Sequence, residues 1–225
     1  MFTKLAKVAR VACAGALGAA LLGTGAGVVR ADSGPPVIGG GSGIIIDNVE
    51  TCTVTTVGHD AAGRLVGLTA GHCGEQGSQV WAEQDRGAGV IGHFVYSNSD
   101  WALDYAVIQF DEGSIIPVNR IGNTTITEIG APATFPMIGC KQGRTTGNTC
   151  GITWGDFFQT GNTWTQICVV QGDSGSPVVV GTTLVAMVRA YVVAACIGPE
   201  IGPNMSAIVN DMNARGGVGA GYYPI

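Results

Sequence analysis

The chain has 225 residues, enough to bury a sizeable core, with 12% charged residues, 37 glycines and a formal net charge of −5. Glycine at this frequency without a three-residue period excludes collagen, disfavours helix bundles and is typical of tight turns between short strands. Because no basic stripe or charged run occurs, we expect neither a nucleic acid nor an anionic membrane surface as a partner.

The first 31 residues have the organisation of a signal peptide. Basic residues lead, and an apolar run rich in Ala, Gly and Leu follows from Val11 to Val29. We expect cleavage after Ala31 and a secreted mature protein without stable membrane association. The alternative is an uncleaved membrane anchor, which the glycines in the run disfavour. Residues 32–43 are then a flexible entry segment, and residues 44–225 form the predicted domain.

Beyond this segment, short apolar or alternating runs are separated by turn residues, which predicts an all-β barrel or sandwich. The last two predicted strands form a hairpin through Gly181, Thr182 and Thr183. The predicted strands, in chain order, are Thr51–Val57, Leu65–Ala70, Gly89–Tyr96, Tyr105–Phe110, Ala133–Ile138, Gly151–Trp154, Trp164–Val169, Pro177–Val180 and Leu184–Val193.

One short helix is predicted near the C-terminus. Ser206 is a suitable N-cap, and Ile208, Val209 and Met212 share one helical face. Arg215, followed by two glycines, ends it.

Removal of the leader, which contains Cys13, leaves six cysteines. They are Cys52, Cys73, Cys140, Cys150, Cys168 and Cys196. An even number in an exported chain predicts three disulfides, although the residues alone permit 15 pairings. Metal binding is the rival interpretation, and the absence of a C-x-x-C pair disfavours it. We therefore expect no metal and no other cofactor.

The strongest local signal is GDSGSP at 172–177, which predicts a tight turn that exposes the hydroxyl of Ser174. A serine hydroxyl needs a general base within hydrogen-bond reach. His72, where the apolar strand of LTAGHC ends, is the candidate base. Asp104, at the start of the apolar segment DYAVI, is the candidate for holding the tautomer of this histidine.

Other titratable residues fit these roles less well. Asp100 is a second carboxylate near Asp104, but no apolar strand follows it. His59 is interpreted as a solvated turn residue and His93 as a strand side chain. A hydrolase with a G-x-S-x-G elbow is disfavoured because its order is Ser, Asp, His and its last glycine would here be Ser176.

TAGHC, DYAV and GDSGSP, in this order, resemble the three signatures of the trypsin/chymotrypsin family. The resemblance is to its short secreted bacterial branch, the α-lytic protease and streptogrisin type, and spans nearly the whole mature chain. It implies two six-stranded antiparallel β-barrels, with the boundary near residues 115–130 and a short C-terminal helix. We expect a peptide or protein substrate and a monomer.

The resemblance also implies residue roles. His72 is the general base, Asp104 its orienting carboxylate and Ser174 the acylated nucleophile. The backbone N–H groups of Gly172 and Ser174 form the oxyanion hole.

Further structural features follow from the same resemblance. An internal ion pair between Lys141 and Asp173 takes the place of an inserted N-terminal ammonium. Residues 37–40, VIGG, remain the alternative source of that ammonium. The implied disulfides are Cys52–Cys73, Cys140–Cys150 and Cys168–Cys196.

Two departures from the family pattern occur, a modest one behind the nucleophile and a larger one at the specificity pocket. Ser176 replaces a glycine, and Arg189, Ala190 and Tyr191 replace Ser-Gly-Gly or Ser-Trp-Gly at the specificity pocket. We expect Tyr191 to restrict the pocket to small side chains, and Arg189 to compete for the carboxylate of the triad. The alternative is a strand shift or an outward rotamer that makes both harmless.

The predicted function is that of a secreted serine endopeptidase with a restricted pocket. The alternatives are a weak or inactive protease-fold binding protein with an occluded cleft, and a small esterase.

Overall fold

The computed structural model describes residues 34–225, so the predicted signal peptide and its cleavage site lie outside the described residues. The described part consists of β-strands, two short 3-10 helices (Gly71–Cys73 and Glu83–Ala88) and one α-helix. The strands and the helix are β1 (Val37–Ile38), β2 (Gly43–Ile46), β3 (Glu50–Thr53), β4 (Thr56–His59), β5 (Leu65–Thr69), β6 (Gln79–Ala82), β7 (Val90–Asn98), β8 (Tyr105–Phe110), β9 (Ile116–Pro117), β10 (Arg120–Ile121), β11 (Thr124–Thr125), β12 (Glu128–Ile129), β13 (Ile138–Gly143), β14 (Gly147–Gly155), β15 (Asn162–Thr165), β16 (Pro177–Val180), β17 (Thr183–Met187), β18 (Ala190–Tyr191), β19 (Glu200–Pro203), α1 (Met205–Arg215) and β20 (Tyr223–Pro224).

The first of two large sheets is antiparallel and runs in the order β20-β4-β5-β8-β7-β6-β2-β3. Most of its buried side chains are aliphatic or aromatic, among them Leu68 and its cross-strand partner Val107. β-branched and aromatic residues fit such a pleated, buried surface. This sheet therefore has the apolar core that the alternating runs predict.

The second large sheet runs in the order β12-β17-β16-β13-β14-β15-β19-β18. Its apolar cluster is smaller, and several polar or charged side chains are also fully buried in this half of the chain. They are Lys141, Thr153, Asn162, Thr163, Thr165, Asp173, Ser176 and Glu200. The chain passes from the first sheet to the second between Phe110 and Glu128, and the barrel boundary near residues 115–130 stays a prediction.

The two curled sheets and the short helix confirm the predicted fold class. Each sheet counts eight strands rather than six in the described part of the chain. The two-residue strands β12, β18 and β20 add to the longer ones, and residues 54 and 55 divide one predicted strand into β3 and β4.

Several predicted element bounds are wrong. Residues 133–137 form no strand and contain a cis peptide bond before Pro136, which has no N–H to donate to a ladder. The helix begins at Met205, with Asn204 rather than Ser206 in the N-cap position, and ends at Arg215 as predicted. The longest helix between residues 34 and 225 has 11 residues, and none there is long and apolar enough to cross a membrane.

Candidate active site

A short 3-10 turn after β5 presents His72. The turn begins at Gly71, where a Cβ atom would lie 1.8 Å from the carbonyl oxygen of Asn98, so only glycine fits. It ends at Cys73, which is bonded to Cys52. The imidazole is thus held at the edge of the first sheet with its side chain 40% exposed.

Asp104 immediately precedes β8 and is fully buried. One carboxylate oxygen accepts the backbone N–H of His72 at 2.8 Å, and the other lies 2.5 Å from Nδ1 of the same residue. Two bonds to one residue fix both the position and the ring orientation of the histidine. The second ring nitrogen is left facing the serine turn.

Ser174 lies on the turn before β16. Gly175 adopts φ +85°, and a Cβ atom there would lie 2.2 Å from the carbonyl oxygen of Thr53, so the sharp turn requires glycine. Oγ of Ser174 lies 2.9 Å from Nε2 of His72. The structure therefore joins Ser174, His72 and Asp104 in one continuous hydrogen-bonded chain.

The serine turn is attached to the first sheet through Thr53. Thr53 Oγ1 donates to the carbonyl oxygen of Gly172 at 2.9 Å, and its N–H donates to the carbonyl oxygen of Ser174 at 2.8 Å. Within residues 34–225 no group accepts the N–H of Gly172 or of Ser174. Both N–H groups are thus available to an oxygen atom of a bound molecule.

Asp173, next to the nucleophile candidate, is fully buried and heavily hydrogen-bonded. Its carboxylate accepts the N–H groups of Thr145, Thr146 and Val170 at 3.1 Å each. Nζ of Lys141, also fully buried, lies 3.7 Å from Oδ2 and donates to Thr146 Oγ1 and to the carbonyl oxygen of Gly147. The structure thus brings the predicted pair together, partly through Thr146.

The alternative source of a cation, the VIGG segment, lies elsewhere. Val37 and Ile38 form β1, which pairs with Ile116–Pro117.

The environment of Lys141 acts on its pKa in two opposite ways. Desolvation lowers the pKa of the Lys141 amine, and Asp173 opposes this shift by attraction.

A cavity of about 400 Å³ opens beside Ser174. All three residues of the predicted specificity segment, Arg189, Ala190 and Tyr191, line it together with the stretch 169–171. Tyr191 is 44% exposed in the edge strand β18. Tyr191 therefore lines the cavity at the position where the sequence predicts that it restricts the size of the bound side chain.

Arg189 turns away from solvent toward the triad. Its Nε donates to Oδ2 of Asp104 at 3.2 Å, the same oxygen that contacts His72. The guanidinium carbon lies 3.7 Å from the ring centroid of Trp101, a cation–π contact. Nη1 is buried and has no hydrogen-bond partner in the structure. The predicted approach of Arg189 to the carboxylate is thus present in the structure.

The remaining candidates stay outside this arrangement. Asp100 is exposed, and its N–H donates to the side chain of Asn98. His59 contacts the ring of Tyr223, and Nδ1 of His93 lies 3.9 Å from Asp111. No three His, Cys, Asp or Glu side chains come together as a possible metal site within residues 34–225. The three disulfides are Cys52–Cys73, Cys140–Cys150 and Cys168–Cys196.

Two residues near the site were not singled out from the sequence. Trp101, 61% exposed, is recognisable in retrospect only by its place three residues before Asp104. Glu200, at the start of β19, is fully buried, and desolvation raises its pKa to about 8. No local motif surrounds Glu200, so only the strand register reveals its position.

No protein-family model matches the sequence. Among solved structures, the chain is similar to the Nocardiopsis protease, with 24% identity, a TM-score of 0.63 and coverage of 78% of this chain and 96% of that one. Thermobifida fusca Protease A has 20% identity and a TM-score of 0.63, with 79% and 96% covered. Cellulomonas bogoriensis chymotrypsin has 21% identity and a TM-score of 0.63, with 84% and 98% covered. At these identities the likeness shows the fold, and it confirms the predicted bacterial chymotrypsin-like fold.

Proposed function

We propose that this chain is a secreted serine endopeptidase with Ser174, His72 and Asp104 as its catalytic triad. The proposal depends above all on the continuous hydrogen-bonded chain from Oγ of Ser174 through both ring nitrogens of His72 to the buried carboxylate. A serine, a base and an orienting acid in these positions are what acyl transfer needs.

Catalysis begins when Oγ of Ser174 attacks the carbonyl carbon of the scissile peptide and its proton passes to Nε2 of His72. The N–H groups of Gly172 and Ser174 stabilise the negative oxygen of the tetrahedral intermediate. The imidazolium then gives the proton to the leaving nitrogen as the C–N bond breaks, and an ester to Ser174 remains. Water attacks this ester through the same base, the acid product forms, and Ser174 recovers its proton.

The specificity we propose is restricted. Tyr191 lines the cavity beside the nucleophile, where a smaller residue would leave a wider opening. A phenol ring at this wall excludes broad side chains from the residue that precedes the scissile bond. The three disulfides fit an oxidising, extracellular compartment, and we propose that the protein acts there as a monomer on peptides or proteins.

A second candidate function is that of a binding protein with an intact but weakly active triad. The contact between Arg189 and Asp104 favours it, because a cation on the shared oxygen opposes formation of an imidazolium. A small esterase would use the same triad on a less demanding substrate.

Labelling with a fluorophosphonate probe, followed by digestion of a peptide library, tests these candidates. We expect labelling of Ser174 that is lost in Ser174→Ala, and cleavage of peptides with the same dependence. Labelling without peptide cleavage would favour the esterase or the binding protein. Absence of labelling in a folded protein would reject a working triad.

A further inference from the structure

The last turn of α1 contacts the ends of β7 and β8 next to the candidate triad. Nη2 of Arg215 donates to the phenol oxygen of Tyr105 at 2.8 Å, and its guanidinium carbon lies 3.4 Å from the ring centroid of Tyr96. The O–H of Tyr105 in turn donates to Oδ2 of Asp211, which also accepts a hydrogen bond from Nε of Arg215 at 3.1 Å. One guanidinium group therefore joins the helix to both strands.

The phenol of Tyr105 is fully buried and depends on this helix for its partners. Within residues 34–225, the hydrogen bonds of its oxygen all go to Asp211 and Arg215. Desolvation by burial raises the pKa of the phenol, and the hydrogen bond to Asp211 raises it further, so it stays a neutral donor. A buried hydroxyl without partners is costly, so loss of Arg215 favours displacement of the ring.

Tyr105 contacts both segments that hold the candidate triad. It directly follows Asp104 in the chain, so a shift of its backbone moves that carboxylate. Its carbonyl oxygen lies 2.9 Å from the place that a Cβ atom of Gly71 would take, and that of its strand partner Asn98 lies 1.8 Å from the same place. Gly71 immediately precedes His72. The turn that presents the histidine is thus packed against the ends of β7 and β8 without room for a methyl group.

The contact between Asp104 and His72 is sensitive to such a shift because it has two parts. The two carboxylate oxygens meet different atoms of the histidine, the backbone N–H at 2.8 Å and Nδ1 at 2.5 Å. Misplacement of a catalytic group by about 1 Å can cost about 100-fold in rate. The end of α1 is therefore in a position to affect the rate without touching the reacting atoms.

We propose that Arg215, together with Asp211, is a positioning residue that holds Asp104 and the His72 turn in place through Tyr105. As a statement about rate, this rests on the proposed function. Among the described residues, those that line the cavity beside Ser174 do not include Arg215 or Asp211. Their effect therefore falls on kcat and not on KM.

Arg215→Gln is the main variant, since it keeps much of the length of the side chain and removes the guanidinium. Arg64→Gln is the matched control. Like Arg215, Arg64 pairs with an aspartate four residues earlier, Asp60, at 2.7 Å, but it lies in the turn between β4 and β5. We expect Arg215→Gln and Tyr105→Phe to lower kcat for a peptide by about tenfold, with KM changed by less than about twofold. Arg64→Gln should change neither constant by more than about twofold.

The nitrogen chemical shifts of the His72 ring give a second readout that needs no turnover. They are measured by NMR on histidine-labelled protein, and His72→Ala identifies the signals. We expect the Nδ1 resonance to move in Arg215→Gln and in Tyr105→Phe, because the bond to Asp104 changes, and to stay in place in Arg64→Gln. Arg215→Lys keeps the charge and should recover part of kcat and part of the shift.

Thermal unfolding sets a temperature at which all variants are folded, and Tyr105→Phe carries the test if Arg215→Gln does not fold. An unchanged kcat with an unchanged Nδ1 resonance would overturn the positioning role. So would a change confined to KM, or an equal loss of kcat in Arg64→Gln. If the unmodified protein cleaves no peptide but its Nδ1 resonance depends on Arg215, the proposed function fails and the positioning of His72 stands.

Discussion

Replacement of Arg189 by serine removes the cation that shares a carboxylate oxygen with His72, the proposed general base. Oδ2 of Asp104 lies 2.5 Å from Nδ1 of His72 and 3.2 Å from Nε of Arg189. Serine brings no positive charge to Oδ2 of Asp104, and the substitution leaves both bonds from His72 to Asp104 in place. We expect the variant to be the more active enzyme.

The magnitude follows from the distance between the two positive charges in the transition state. Because they share one oxygen, the two nitrogens are at most about 5.7 Å apart. Coulomb's law gives roughly 3 kcal/mol of repulsion at this distance for an effective dielectric constant of about 20. The His72 side chain is 40% exposed, so water screens part of this. Relief of about half, roughly 1.4 kcal/mol, raises kcat/KM about tenfold.

The assay is kcat/KM on an uncharged peptide, so that no substrate charge interacts with either residue. Arg189→Lys is the control, since it keeps the positive charge and should gain little. Thermal unfolding checks that both variants fold, with a small loss of stability expected from the contact with Trp101. A folded Arg189→Ser protein with lower activity would refute the reasoning, because Arg189 would then support the carboxylate rather than oppose the imidazolium.

Three further predictions concern the cavity and the buried charges behind it. Lys141→Met leaves the carboxylate of Asp173 without its cation, so the free energy of unfolding measured in urea should fall by about 3 kcal/mol. Unchanged stability together with unchanged fluorophosphonate labelling of Ser174 would contradict the pairing. Tyr191→Gly should raise kcat/KM for peptides with large side chains before the scissile bond by about tenfold, and an unchanged library profile would mean that the ring does not restrict the cavity. Burial raises the pKa of Glu200 from 4.5 to about 8, so the folded chain holds a proton that the unfolded chain loses in this window. The free energy of unfolding should therefore fall as pH rises between these values, by up to about 1.4 kcal/mol per pH unit, and Glu200→Gln should flatten the curve.

The fold and the residues of the candidate triad were predictable because their signals are local. A serine between glycines, a histidine at the end of an apolar strand and an aspartate before another each have a recognisable neighbourhood. The resemblance then predicts that these three residues meet in the fold. In the structure, Ser174, His72 and Asp104 lie within hydrogen-bond distance of one another in sequence. The short element bounds were harder. Residues 133–138 were predicted as a strand, but residues 133–137 form a loop that contains the cis peptide bond before Pro136. An apolar composition fits either structure, and periodicity alone does not separate them.

The burial of Glu200 and its place beside Tyr191 could not be predicted, because both depend on pairing between strands that are distant in the sequence. Nothing in the sequence around Glu200 marks it, and only its register with Tyr191 puts it behind the cavity wall. Arg189 was an intermediate case. Its position follows from an ungapped count along the hairpin, but the direction of its side chain depends on the packing against Trp101.

Arg189 and Glu200 occupy different places relative to the candidate triad. The guanidinium lies at the triad end of the cavity wall, against Asp104, and the carboxyl group lies behind Tyr191 in the neighbouring strand. Of the two, only the guanidinium contacts the candidate triad, so relief of the repulsion on a protonated His72 is expected from Arg189→Ser alone.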